Sequence, residues 1–150
     1  PSSRAAQSAP QTQMRGNVQL LSWWEGGNEA FPTGAVADIY DVRTGITFQV
    51  KRTYGANHAD CQPLTADDTA KMLQARGGSW GWSPRPIWVT VNGQTYAAAM
   101  NGQPHSIQSI MDNNFDGHFC IHFYKARNHY NNAESPEMQT AVQEAFYAAS

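Results

Sequence analysis

The sequence has little charge and no excess of basic residues. Ten Lys and Arg against twelve Asp and Glu give a net charge of −2, and charged residues make up 15% of the 150 residues. A surface without a basic field cannot neutralise a phosphate backbone, so nucleic acid is not an expected partner. No apolar run approaches the ~18 residues of a membrane-spanning helix, and no glycine-rich phosphate loop occurs. We therefore expect neither a membrane span nor a phosphate-binding loop.

Cysteine is also scarce. Cys61 and Cys120 are the only two, so the sequence does not encode a disulfide framework. One bridge closing the long loop between them would stabilise the fold by ~4 kcal/mol. Two independent thiols are equally compatible with the sequence, and both possibilities stay open at this point.

Apolar residues, at 41%, and aromatic residues, at 11%, are sufficient for the core of one domain. Residues 1–17 are mostly Ser, Ala, Gln and Pro, and we expect them to form a disordered linker. Folded structure is then expected over 18–150 as a single domain. The linker suggests a monomeric module of a longer chain.

Hydrophobic alternation with a period of two predicts most of the domain to be strands. It covers 35–42 and 46–54 on either side of a Gly45 turn, which indicates a hairpin. A second strand, turn and strand is predicted over 87–100, with Asn92-Gly93 at the turn.

Capping residues mark the helices. A capping-box pattern from Thr65 to Asp68 predicts a helix over about 66–75, and Ser135-Pro136 begins the last helix. We expect an α+β fold, mainly antiparallel β and barrel-like or sandwich-like, with two or three peripheral helices. The other expectations are loops over 55–63 and 79–86, a short helix over 105–112 and a strand over 118–125.

The last predicted strand carries the most chemical information. Alternate side chains of a strand share a face, so one face belongs to the core: Phe119, Ile121 and Phe123. The opposite face carries His118, Cys120, His122 and Tyr124. Two imidazoles beside one thiol are close enough to favour the thiolate, which makes Cys120 a candidate nucleophile. His105 follows another predicted strand, and a histidine at a strand end is well placed to act as a base.

The order of these parts resembles the L,D-transpeptidases, whose catalytic domain is often called YkuD-like. In that family a histidine at the end of a strand precedes a Ser/Thr-His-Gly-Cys motif. Here His105 and Ser106 match the upstream histidine and its small polar neighbour, and His118-Phe119-Cys120 matches His-Gly-Cys. The resemblance spans roughly residues 35–125.

Three positions differ from that motif. Gly117 stands where the family has Ser or Thr, Phe119 replaces a glycine, and His122 stands in place of a frequent Arg. The spacing from His105 to Cys120 is also shorter than is usual in the family.

The resemblance implies a catalytic domain that performs acyl transfer through a thioester on Cys120, with bacterial peptidoglycan stem peptides as substrate. His105 or His118 would take the thiol proton, and backbone N–H groups near Gly117 would hold the oxyanion. An amine acceptor gives transpeptidation, whereas water gives carboxypeptidase or hydrolase activity. No cofactor is implied, and the location would be extracellular or in the cell wall. The residues expected to support the site are Ser106, Gly117, His122, Tyr124, His58 and Asp60.

Two other functions are compatible with the residues. A zinc-dependent peptidoglycan peptidase would use His58, Asp60, His118 and His122 as ligands, with an open position for water. A non-enzymatic module would bind the cell wall through the aromatic loop at 79–86. That loop can also simply pack into the core, which we consider the more ordinary role for it.

Overall fold

A computed structural model describes residues 12–150, which form eight strands and three α-helices. The strands are β1 Thr12–Arg15, β2 Val18–Leu21, β3 Val36–Asp41, β4 Thr47–Tyr54, β5 Ala59–Pro63, β6 Gly81–Val91, β7 Gln94–Gly102 and β8 Phe119–Phe123. The helices are α1 Gly27–Ala30, α2 Ala66–Ala75 and α3 Pro136–Tyr147, and a 3-10 turn covers Trp23–Glu25.

Six of the strands close into an antiparallel barrel. Their order is β7-β6-β3-β4-β5-β8, and β8 pairs back onto β7. Strand β2 continues the sheet beyond the barrel by parallel pairing with β7, and β1 pairs with β2 as an outer hairpin. The expected α+β fold, mainly antiparallel and barrel-like with three helices, is therefore confirmed.

Alternating side chains build the core from both partners of the first hairpin. Ala37 and Ile39 on β3 and Phe48 and Val50 on β4 are buried inside the barrel. The turn between the strands is held by Asp41, whose side chain accepts hydrogen bonds from backbone N–H groups of the turn. Local alternation and turn chemistry thus agree, which is why this hairpin could be predicted.

Two helices pack against the barrel in different ways: Met72 of α2 joins the core inside the barrel, whereas α3 lies on the outer face. Helix α2 begins at the predicted capping box, in which Thr65 and Asp68 each accept from the other's backbone N–H. Helix α3 packs on the outer face of the sheet, where the small side chains of Ala97 and Ala99 meet Val142. Alternation along β7 turns Ala98 into the barrel instead.

Four local expectations are corrected by the structure. Residues 12–15 of the predicted linker form β1, because their backbone pairs with β2; residues 1–11 lie outside the described residues. The predicted loop over 55–63 contains β5, whose backbone pairs with both β4 and β8. No helix forms over 105–112; that segment is irregular apart from a single bridge between His105 and His118.

The predicted loop over 79–86 is mostly strand. Strand β6 begins at Gly81 and tolerates Pro84 because its register shifts between Gly81 and Arg85. Pro86 lies opposite Ala99, and its carbonyl accepts from the backbone N–H of Val42. A proline lacks only a donor, so it remains compatible with a bulged strand.

Candidate active site

Strand β8 divides its side chains between the core and a surface cleft. Phe119, Ile121 and Phe123 are fully buried in the barrel, as the alternation predicted. Cys120 lies on the other face and lines the cleft together with His122. Both side chains are nevertheless at least nine-tenths buried, since neighbouring segments surround them.

Cys120 and His105 form a thiol–imidazole pair. The Sγ atom of Cys120 lies 3.7 Å from Nε2 of His105. The other ring nitrogen, Nδ1, lies 2.6 Å from the carbonyl oxygen of Gln103. Because a carbonyl oxygen only accepts, Nδ1 carries the proton in the neutral ring and Nε2 presents its lone pair to the thiol. This is the tautomer that a general base requires.

The backbone holds His105 in place through His118. Each residue donates its N–H to the carbonyl of the other, at 3.1 and 2.8 Å. Gly117 makes this close approach possible, because a Cβ there would lie 2.4 Å from the carbonyl oxygen of His105. Gly117 also has φ +117°, a conformation that other residues rarely adopt. Ser106 follows at φ 60° and lines the cleft.

A carboxylate and two further imidazoles surround the thiol. Asp60 lies opposite Cys120 across the β5–β8 pairing, and its Oδ1 is 3.9 Å from Sγ. The same oxygen is 3.1 Å from Nε2 of His58 and 3.6 Å from Nε2 of His118. Nδ1 of His118 contacts the carbonyl oxygen of Ile107 at 2.8 Å. Asp60 is therefore the common neighbour of the thiol and both rings.

Electrostatics favour a thiolate beside imidazolium groups. Burial opposes charge on Cys120, but the hydrogen bond with His105 and the nearby His58 ring outweigh it and hold the pKa of the thiol below its ordinary value. The hydrogen bond to Cys120 raises the pKa of His105. Burial also opposes charge on His58, yet the hydrogen bond to Asp60 and the nearby Cys120 thiolate raise its pKa to about 10. His58 can then donate from both nitrogens, to Asp60 and to the carbonyl oxygen of Arg127.

Two predicted site residues play a different part. His122 lies against the His58 ring, with centroids 4.4 Å apart, and its buried Nδ1 has no hydrogen-bond partner among the described residues. Burial lowers the pKa of His122 to about 3, so this ring stays neutral. Tyr124 does not line the cleft; it packs on the cluster under α3 and contacts Lys125.

Backbone amides near Gly117 do not form the expected oxyanion hole. The N–H groups of Gly117 and His118 already donate to the carbonyls of Phe115 and His105. The N–H of Cys120 donates to Oδ1 of Asn101 at 3.0 Å. These donors are therefore engaged within the protein.

Sequence reasoning missed Asn101 and the exposure of Trp82. Asn101 lines the cleft beside Cys120, and its approach depends on the β7–β8 pairing, which no local pattern reveals. Trp82 is 60% exposed, and its ring lies 4.8 Å from the His105 ring. The core packing that we expected for the aromatic loop holds for Trp80, which contacts Phe115.

The cleft has a volume of about 840 Å³. Its walls include the exposed aromatic side chains of Tyr54, Trp82 and Tyr130. It also contains the Cys120 group, which consists of Cys120 and its neighbours His58, Asp60, His105 and His118. A groove of this size with aromatic walls can take a short peptide or a sugar–peptide segment.

Cys61 is separate from this chemistry. It lies opposite Phe119 in the β5–β8 pairing and points into the core, whereas its neighbour Asp60 faces the cleft. Both cysteines are free thiols, so the open alternative of a bridge is not realised. Burial raises the pKa of Cys61 well above its ordinary value.

Comparison of the chain with protein-family models, curated proteins and solved structures found no match. Over residues 12–150, none of the helices combines the length and apolar character needed to cross a membrane.

Proposed function

We propose that this domain performs cysteine-dependent acyl transfer, with Cys120 as nucleophile and His105 as general base. The observation that carries the proposal is the 3.7 Å approach of Nε2 of His105 to Sγ, with Nδ1 held by the Gln103 carbonyl. A nucleophile, a base and a group that orients the base are the three parts that such catalysis needs. Unlike the sequence expectation, this assignment gives His118 no proton-transfer role, because its Nε2 faces Asp60.

The reaction follows from these positions. The Cys120 thiolate attacks a peptide carbonyl carbon, so that a C–S bond forms and the carbonyl oxygen takes the negative charge. Collapse of this intermediate breaks the C–N bond, and the imidazolium of His105 gives its proton to the leaving amine. An amine or water then attacks the thioester, loses its proton to His105 and releases the thiolate.

Asn101 is the residue that we assign to the oxyanion. Its Oδ1 accepts from the Cys120 amide, which leaves the NH₂ end of the side chain as a donor beside the nucleophile. Removing one such donor typically lowers kcat by about 10²–10³-fold. Asn101 is buried, so its orientation is set by the protein and not by solvent.

Peptidoglycan stem peptides are the proposed substrate, as the family resemblance implies. The aromatic walls of the cleft support a ligand with flat peptide groups and sugar rings. This substrate implies an extracellular or cell-wall location. Transpeptidation and hydrolysis share the first half-reaction and differ only in the acceptor.

The four-ligand zinc peptidase receives less support. His58 and Asp60 come together with Cys120, and His118 comes together with His105 and Cys120, but His122 belongs to neither group. The non-enzymatic alternative relies on the same aromatic walls. It predicts that binding to the cell wall does not depend on Cys120.

The test is turnover of purified stem-peptide fragments in the presence of reductant and a chelator, followed by mass spectrometry. We expect released or cross-linked products and an acid-trapped acyl group on Cys120. Cys120→Ala should abolish turnover, and His105→Ala should lower it by about 10²–10⁴-fold. Cys61→Ala is the matched control and should remain active.

Three results would contradict the proposal. Turnover by Cys120→Ala equal to that of the unmodified chain excludes the thiol. Turnover lost in chelator and restored by zinc favours the metallopeptidase. Sedimentation with peptidoglycan without turnover, unaffected by Cys120→Ala, favours the binding module.

A further inference from the structure

The Cys120 group has the atoms and the orientation of a divalent-metal site. Sγ of Cys120 and Nε2 of His105 and His118 all lie within 4.8 Å of one another. Oδ1 of Asp60 is next to this triangle, 3.9 Å from Sγ and 3.6 Å from Nε2 of His118. We infer that these four residues bind one zinc ion, which caps the thiol and inhibits the proposed acyl transfer.

Two of the separations fit tetrahedral zinc closely. Zn–S bonds of about 2.3 Å and Zn–N bonds of about 2.0–2.1 Å place sulfur and nitrogen about 3.6 Å apart at the tetrahedral angle. The observed distance from Sγ of Cys120 to Nε2 of His105 is 3.7 Å. The corresponding distance between oxygen and nitrogen ligands is about 3.4 Å, against 3.6 Å between Asp60 and His118. The Asp60 carboxylate has to move furthest, because it does not lie within 4.8 Å of all three other ligand atoms.

Both histidines are anchored as zinc-binding histidines usually are. Nδ1 of His105 is held by the carbonyl of Gln103 at 2.6 Å, and Nδ1 of His118 by that of Ile107 at 2.8 Å. Such outer bonds fix the tautomer that offers Nε2 to a metal. The reciprocal backbone bonds between the two histidines hold both rings on one rigid bridge.

His118 and Asp60 face each other beside Cys120. Nε2 of His118 lies 3.6 Å from Oδ1 of Asp60, and both side chains are largely buried. Nδ1 of His118 contacts the carbonyl oxygen of Ile107, so Nε2 is the ring nitrogen that faces the proposed metal.

The donor set selects the metal. One thiolate, two imidazoles and one carboxylate match zinc, whereas magnesium and calcium prefer oxygen ligands alone. Binding releases to solvent the proton that Cys120 and His105 share, and it engages the lone pairs of both Sγ and Nε2 of His105. The inhibitory role rests on the proposed function, because acyl transfer needs those lone pairs. The ligand set does not depend on the proposed function.

The site is tested on the reduced, metal-free chain by titration with Co²⁺ and then Zn²⁺ under inert gas. We expect one equivalent of Co²⁺, the near-ultraviolet absorption of a thiolate–cobalt bond, and displacement by Zn²⁺. The absorption should vanish in Cys120→Ser and persist in Cys61→Ala. His118→Gln should lower zinc affinity by at least about 10–100-fold. His129→Gln alters a cleft histidine outside both ligand groups and should bind as the unmodified chain does.

Inhibition is measured on the same samples, after circular dichroism shows that each variant is folded. At zinc 100 times its Kd only about 1% of the protein is free, so alkylation of Cys120 should slow about 100-fold and recover in chelator. Absence of the thiolate–cobalt absorption, or alkylation unaffected by zinc, overturns the inference. Neither result bears on the proposed function, which is tested separately by thioester formation in chelator. Acyl transfer that requires zinc overturns the inhibitory role and the proposed function while retaining the ligand set.

Discussion

Substitution of Gly117 by alanine tests how the backbone positions the His105 base. A Cβ at this position would lie 2.4, 2.6 and 2.7 Å from the carbonyl oxygen, carbonyl carbon and nitrogen of His105. All three are backbone atoms, so no flexible side chain can give way. The bridge between His105 and His118 would have to open, and His105 would move away from Cys120.

The expected loss of stability in Gly117→Ala has two parts. A positive φ costs an L-residue about 1–2 kcal/mol, and forced displacement of packed groups costs typically about 1–3 kcal/mol more. Gly117→Ala should therefore lower the free energy of unfolding by about 2–5 kcal/mol. Gly34→Ala is the matched control, because Gly34 has φ +92° and, beyond its chain neighbours, no atom of residues 12–150 lies within 4 Å of the added Cβ. It should lose only the first part, about 1–2 kcal/mol.

The assay combines urea unfolding with alkylation of Cys120 in chelator. A shift of about 1 Å in a reacting group can reduce rates by about 10²-fold, so Gly117→Ala should slow alkylation by at least about 10-fold under conditions where it is still folded. Gly34→Ala should alkylate at the unmodified rate. Equal stability losses in the two variants, together with equal alkylation rates, would refute the positioning argument.

Three further predictions concern stability and substrate binding. Asp41→Asn should lower the free energy of unfolding by about 1.5–3 kcal/mol in urea, because it breaks an ion pair at 2.8 Å between the fully buried Asp41 carboxylate and the partly buried Arg85, whereas the exposed Asp38→Asn should stay within about 0.5 kcal/mol. A chain that begins at residue 18 should have a Tm about 2–8 °C lower than one that begins at residue 12, since β1 and its pairing contribute about 1–2 kcal/mol. An unchanged Tm would restore the interpretation of these residues as a linker. Trp82→Ala should leave urea stability almost unchanged and raise KM roughly fivefold, the equivalent of about 1 kcal/mol of binding; an unaltered KM would remove Trp82 from the substrate groove.

Local patterns predicted the parts of the fold that local forces determine. The β3–β4 hairpin and helix α2 follow from alternation and from the Thr65–Asp68 box, and both were correct. The first half of β6, residues 81–86, was missed because prolines argue against a strand, and only its bulge and its neighbouring strands explain the pairing. Strand β5 lacked a clear pattern, since it is held between β4 and β8 by contacts distant in sequence.

The candidate site could also be predicted only in part. Alternation along β8 and the strand end at His105 predicted that Cys120 and its histidines would come together. Two contacts needed the barrel to close: Asp60 opposite Cys120 and Asn101 beside it. Periodicity grouped Tyr124 with Cys120, but β8 ends at Phe123 and Tyr124 packs on the α3 cluster outside the cleft.

The most direct test of the account is the pH dependence of Cys120 alkylation in the metal-free, reduced chain. The midpoint should lie below the ~8.5 of an unperturbed thiol, because the imidazoles of His105 and His58 stabilise the thiolate despite its burial. His105→Gln should raise that midpoint, and Cys61 should remain unreactive in the folded protein because it is fully buried. A midpoint at or above 8.5 that His105→Gln does not move would contradict the claim that Cys120 is a nucleophile activated by His105.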